Sequence, residues 1–331
     1  MTEKLVNRRK KTISILIKLT IISISWTFVI NKLFNSSDIS EFKNYLTDNS
    51  LKNFHLLLFI LILMILNWSL ETTKWQYLMS RIEKVSFLRA FKAVWTGVTV
   101  GTATPNRIGE FGGRIIFLKS ENRSKAVVLT LFGDLSQMII TLVVGIAGLF
   151  ILTGLYLPVN HFFYNQNILL FSVATLLITI SLIFYFNVNH ILRKFSKIKF
   201  SSNWLKKYIP DSTINIPDKI LSLLLSLLRY FVFCFQFYLA LKFFNIEIDL
   251  IQSFAAISAM YLAIHTIPTY IFVEIGVRLS FAIIFIGLFT DNLIAISLSS
   301  LLIYLINIVI PIIFGSIFLM KSRLVGINKN I

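Results

Sequence analysis

Apolar residues run along this chain in long blocks separated by short polar joints. A helix needs about 20 mostly apolar residues to cross a bilayer. Blocks of that kind fall at 13–34, 54–73, 126–156, 167–187, 220–244, 251–268, 272–290 and 293–319. They predict an all-α fold: a polytopic transmembrane helix bundle with six to eight spanning helices. One or two re-entrant or broken helices accompany them, and an inverted repeat is one reading of their arrangement.

The stretch 93–118 departs from the pattern. It is only weakly apolar and holds Gly97, Gly101, Pro105, Gly109, Gly112 and Gly113. Glycine and proline both weaken helix interiors, so one straight spanning helix is not expected there. Two readings fit. In the first, 93–118 is a re-entrant hairpin broken at Pro105 and Gly109, with Thr104 as N-cap and Pro105 in the first turn of the returning helix. In the second it is an interfacial loop whose arginines hold the topology.

Composition agrees with the pattern. Of 331 residues, 56% are hydrophobic and 14% charged, and the mean hydropathy is +0.79. A soluble domain carries about a quarter charged residues, so lipid is the expected solvent. No stretch between the apolar blocks is long enough to bury a core of its own, and residues 1–331 read as a single integral membrane domain. The segment 13–34 follows Arg8, Arg9, Lys10 and Lys11 without a small-residue cleavage site, which favours a retained helix over a signal peptide.

The net charge of +17 would suggest a nucleic-acid partner in a soluble protein. Here the basic residues cluster in short joints, where they act as topology signals and meet anionic lipid headgroups. No nucleic-acid partner is expected. Lys and Arg outnumber acids in 1–12, 71–92, 119–125, 188–219 and the C-terminal tail. The joints 31–53, 157–167, 245–250 and 291–292 are balanced, uncharged or acidic. Placing the first set on the cytoplasmic side satisfies every joint, provided 93–118 enters and leaves on that side. Both termini are then cytoplasmic, and 188–219 is a basic cytoplasmic loop. Trp26, Trp68, Trp75, Trp95 and Trp204 are expected as interfacial anchors. Lys18 is expected to snorkel to the interface.

Candidate chemistry concentrates at two interruptions. In the first, Arg107, Glu110 and Arg114 are three and four residues apart and share one face of a helix starting near Pro105. The second, 267–278, places Pro268, Glu274, Gly276 and Arg278 between apolar blocks. It reads either as the inverted counterpart of the first or as two short spanning helices joined by a tight inner turn. Asp134, Gln137, Arg229, Gln236 and His265 lie within apolar blocks, where a charge costs about 2.5–3.5 kcal/mol on insertion scales and marks a functional candidate. Asp134 and Gln137 face one way and are expected to partner Arg107 or Arg114. Arg229 either serves the site or snorkels, and His265 reads as a packed, hydrogen-bonded residue. The single cysteine, Cys234, is expected as a buried thiol. No metal-ligand spacing, nucleophile elbow or phosphate-binding Gly-Lys-Ser/Thr loop is present, so no metal, cofactor or enzymatic activity is expected.

The run Thr-Pro-Asn-Arg-Ile-Gly-Glu-Phe-Gly-Gly-Arg at 104–114 resembles a signature of the lysylphosphatidylglycerol synthase transmembrane-region family, Pro-Gly-Arg-(apolar)-Gly-Glu-x-x-Arg. Gly276, Val277 and Arg278 are similar to its second signature, with Leu279 where Glu is usual and Glu274 able to supply the acid. Thr130 and Leu131 stand where many members carry a Glu-Arg pair one turn before the position of Asp134. These departures bear on substrate rather than fold. The resemblance covers about 10–320. It implies a bacterial inner-membrane, flippase-like protein that moves a lipid with a charged or phosphate-bearing headgroup. The substrate-binding set is then Arg107, Glu110, Arg114, Asp134, Gln137, Glu274 and Arg278. The resemblance also implies membrane lipids as partners, with a stand-alone chain that lacks the family's aminoacyl-transferase domain. The alternative is an accessory subunit that positions an envelope-lipid or glycan-lipid enzyme.

Overall fold

The computed structural model describes Leu16 and residues 38–104, 107–156, 161–196, 214–267 and 271–322. The expected first helix at 13–34, with Lys18 and Trp26, lies outside the described residues, as do Pro105, Pro268 and Trp204. Among the described residues the fold is all-helical. In chain order the helices are α1 (Asp38–Met79), α2 (Phe87–Thr102), α3 (Gly109–Ile115), α4 (Arg123–Tyr156), α5 (His161–Phe186), α6 (Val188–Ser196), α7 (Ile216–Phe243), α8 (Leu250–Thr266), α9 (Ile271–Ile286), α10 (Leu293–Tyr304) and α11 (Ile310–Lys321). A π-helical turn, Leu305–Val309, joins α10 to α11.

Four of these units are long and apolar enough to cross a membrane: Asn53–Met79, Ser120–Gly154, Ile216–Phe243 and Leu293–Lys321. The chain is a multi-pass membrane protein. Helices α8 and α9, with 17 and 16 residues, reach only about 24–26 Å at 1.5 Å per residue, short of the roughly 30 Å hydrocarbon core. The apolar blocks at 251–268 and 272–290 are therefore shorter than full spans as drawn from sequence.

On either side of residues 105–106 the stretch 93–118 is helical, and its two helices pack together as a hairpin. α2 and α3 pack against each other, and α11 packs on the far side of α2. The approach is close because glycines meet: a Cβ added at Gly113 would stand 2.7 Å from the Gly97 Cα. Backbones packed this tightly exchange side-chain volume for dispersion contact, the usual basis of helix association in lipid. Thr104 is not the N-cap, a position held by Ile108, but its side chain still bridges the two helices. Its Oγ1 accepts from the Gly109 backbone N–H at 2.7 Å and donates to the Gly101 carbonyl at 3.0 Å. The helix starts at Gly109, however, rather than near Pro105.

The remaining helices surround the hairpin. α1 lies along α7, and α4 along α8. α1 is kinked at Asn53, whose backbone leaves the helical region and whose amide contacts the Phe243 carbonyl and Asn245 Oδ1 at 3.4 and 3.3 Å. Exposed Leu, Ile and Phe side chains on α1, α4, α5 and α7 form the lipid-facing surface. The tryptophans depart from expectation. Trp68, Trp75 and Trp95 are buried among helices rather than anchored at an interface. Trp75 Nε1 donates to Thr130 Oγ1 at 3.0 Å, while Trp68 and Trp95 meet edge to face. Large aromatics are as useful for filling a bundle as for anchoring it.

Candidate functional site

Two ion-pair clusters stand on either side of one cavity of about 260 Å³. The first is built on Glu71 of α1, which is 1% exposed. Its carboxylate meets Arg114 of α3 at 2.8 Å, Lys74 at 2.9 Å and Arg229 of α7 at 3.1 Å. Arg114 also pairs with Glu110 one turn earlier on its own helix. Lys74 Nζ donates to Ser226 Oγ at 3.3 Å, and Arg229 Nε donates to Asn67 Oδ1 at 2.9 Å. Arg229 is further held over the rings of Trp68 and Phe233, 5.5 and 5.4 Å from their centroids. A buried charge is tolerable only when paired and hydrogen-bonded, and here each partner supplies that condition for the next.

The second cluster joins the hairpin tip to α9. Arg107 stands in the tip with φ +56°, outside α3, and donates to both carboxylate oxygens of Glu274 at 2.8 and 2.9 Å. Arg278, one turn on from Glu274, donates to it at 2.9 and 3.1 Å. Arg107 uses Nη2 for both oxygens and Arg278 uses Nε and Nη2 on Oε1, so Glu274 accepts four charge-assisted hydrogen bonds.

A chain of amides extends from the first cluster. Asn67 Nδ2 donates to Asn307 Oδ1 at 3.3 Å, Asn307 Nδ2 to Gln236 Oε1 at 2.9 Å, and Gln236 Nε2 to the Ile60 carbonyl at 3.0 Å. Asn307 sits in the π-helical turn, a distortion often found at functional positions.

The depth of the cavity follows from helix geometry. Glu71 is eight residues before the end of α1 and Arg229 thirteen after the start of α7. At 1.5 Å per residue these are about 12 and 20 Å in from the two helix ends, so the cavity is set back from that end of the bundle.

Sequence-derived candidates converge on this cavity. Arg107, Glu110, Arg114, Asp134, Gln137 and Arg278 line it, and Glu274 backs the two arginines of the second cluster. Several details differ from expectation. Arg107 does not share a helical face with Glu110 and Arg114, because the positive φ at the tip turns it away to Glu274. Gln137 binds Arg229 Nη1 at 3.4 Å and the Ser226 carbonyl at 3.5 Å, not Arg107 or Arg114. Asp134 lines the cavity yet makes no ion pair or hydrogen bond with a described residue. Arg229 serves the cavity and does not snorkel. His265 lines the cavity and contacts the Tyr261 carbonyl at 3.3 Å. Gly276 lies inside α9 in open space and breaks nothing. The interruption falls between Thr266 and Ile271.

Sequence reasoning counted Glu71 and Lys74 among the charges of the 71–92 joint, which overlaps the apolar block 54–73 at Glu71, and took neither as a site candidate. Their i, i+3 spacing is the signal that they continue its helix with mutual neutralisation.

The profile described as Lysylphosphatidylglycerol synthase TM region matches residues 15–315. The chain belongs to this family. No curated protein is significantly similar in sequence. Membership of the lysylphosphatidylglycerol synthase transmembrane-region family accounts for a multi-pass protein of lipid metabolism or transport. Both conspicuous sequence interruptions fall within the matched range.

Proposed function

We propose that this chain moves a lipid with a charged or phosphate-bearing headgroup between the leaflets of a bacterial inner membrane, with both termini cytoplasmic. The observation that carries the reading is the cavity within the helix bundle ringed by Arg107, Arg114, Arg229 and Arg278. A charged headgroup crossing hydrocarbon loses its hydration, and fixed counter-charges inside the bundle lower that cost. Broken helices at such a site follow the rule that irregular backbone at membrane depth is tolerated where protein or water surrounds it. The basic joints support the cytoplasmic placement of the termini. The work assigned to these residues is binding and passage, with no covalent step.

The test is reconstitution into liposomes with fluorescent phospholipids in both leaflets. Native protein is expected to expose inner-leaflet lipid to an external quencher. Arg278→Gln, checked for a native-like elution profile, is expected to abolish the exposure. Equal rates in native, variant and protein-free liposomes overturn the reading and favour an accessory role.

A further inference from the structure

The charges around the cavity do not balance. Lys74, Arg107, Arg114, Arg229 and Arg278 face Glu71, Glu110, Asp134 and Glu274, an excess of one cation. The excess is local. Lys74, Arg114 and Arg229 form ion pairs with Glu71 and Glu110, and Asp134 lies in electrostatic range of Arg114 and Lys74. Arg107 and Arg278 form their ion pairs with the single carboxylate of Glu274, and Glu110 is the next acid in electrostatic range of Arg107.

On the same cavity wall the Tyr261 hydroxyl is buried without a hydrogen-bond partner, in electrostatic range of Arg278. Tyr261 is 8% exposed, and its ring is fixed by Tyr230, Phe233 and Phe237. Trp68 Nε1, a donor that cannot accept, is likewise buried, unpartnered and on the cavity. Buried donors without acceptors are rare and costly. Both lack what an oxyanion offers.

We infer that Arg107, Arg278 and Tyr261 form an oxyanion subsite that selects a singly charged phosphodiester over a doubly charged phosphomonoester. One negative charge neutralises the excess, and a second would be buried without a counter-charge. The inference rests on the lipid-moving reading for its ligand but not for its test, which measures binding alone.

The full chain in detergent is titrated with dihexanoyl phosphatidylglycerol, dihexanoyl phosphatidate, inorganic phosphate and dihexanoylglycerol, followed by tryptophan fluorescence. Phosphatidylglycerol is expected to bind at least tenfold more tightly than phosphatidate at pH 8, and dihexanoylglycerol not to saturate. Tyr261→Phe, which keeps the ring and its packing, is expected to weaken phosphatidylglycerol about tenfold. Glu274→Gln adds a second net positive charge and is expected to narrow or reverse the preference. Inorganic phosphate binding as tightly as the diester would identify a free anion, not a lipid, as the occupant and overturn the diester selectivity. Phosphatidate binding equal to or tighter than phosphatidylglycerol, or an unchanged Tyr261→Phe affinity, overturns the subsite. Diester selectivity with no lipid movement in liposomes would leave this inference standing while the transport reading falls.

Discussion

Arg107 and Glu274 are 167 positions apart in sequence and joined by two hydrogen bonds of 2.8 and 2.9 Å. They tie the tip of the α2–α3 hairpin to the first turn of α9. Their coupling should be measurable. In a cycle of Arg107→Gln, Glu274→Gln and the double variant, the double is expected to lose less stability than the two singles together. The expected interaction energy is about 0.5–3 kcal/mol, read from unfolding midpoints in detergent. Strict additivity would mean that the tip and α9 are held by other contacts.

Glu71 is expected to be the most sensitive charged position. Glu71→Gln leaves Lys74, Arg114 and Arg229 without their common counter-charge, and breaking a buried pair costs about 3–5 kcal/mol. Glu110→Gln should cost clearly less, because Arg114 keeps Glu71. Thermal unfolding of the two variants side by side checks the order.

Asp134 separates function from stability. It stands in electrostatic range of Arg114 and Lys74 but forms no ion pair or hydrogen bond with a described residue, so Asp134→Asn should lower the unfolding temperature clearly less than Glu71→Gln while changing the rate of lipid movement. A large loss of stability would show that Asp134 is a structural counter-ion.

The hairpin offers a steric pair. Gly113→Val drives a side chain into the backbone at Gly97, whereas Gly112 has open space around it. Gly113→Val should lower expression of monodisperse protein severalfold, since overpacking costs about 1–3 kcal/mol or more. Gly112→Ala should be close to neutral. Size-exclusion profiles of the two variants give the comparison.

The orientation also has a direct test. Cys234 is buried in α7, so single cysteines can be added against a silent background. A membrane-impermeant maleimide applied to intact cells should label Glu247→Cys but not Lys84→Cys, and both after permeabilisation. The opposite pattern would invert the topology.

Much of the fold was legible because lipid imposes a simple rule: apolar blocks of sufficient length become helices. The hairpin was legible for the complementary reason, since six glycines and prolines within 93–118 cannot form one straight span. Arg107, Arg114, Asp134 and Arg278 were legible as candidates because charge in an apolar block is expensive. What local pattern could not supply was pairing. Neither the positive φ of Arg107 nor its choice of Glu274 over Glu110 follows from spacing along a helix. Glu71 was missed because, at the overlap of the block 54–73 with the joint 71–92, it counted as a topology charge, while α1 continues to Met79 by burying that charge against two other helices. Trp68, Trp75 and Trp95 were misjudged similarly: proximity to a helix end says nothing about which side the ring faces.

The carboxylate of Glu71 has a history as well as a place. During synthesis α1 emerges before the helices that carry Arg114 and Arg229 can dock beside it. Lys74, three residues away on the same helix, is the partner that travels with it. Arg114 follows 43 positions later, and Arg229, which also reaches back 162 positions to Asn67, arrives last. A nascent α1 therefore carries its own counter-ion through the insertion machinery and exchanges part of it for better ones as later helices dock. Lys74→Met should consequently act early, lowering the fraction of chains whose α1 is inserted, even if the finished bundle can hold Glu71 with two arginines.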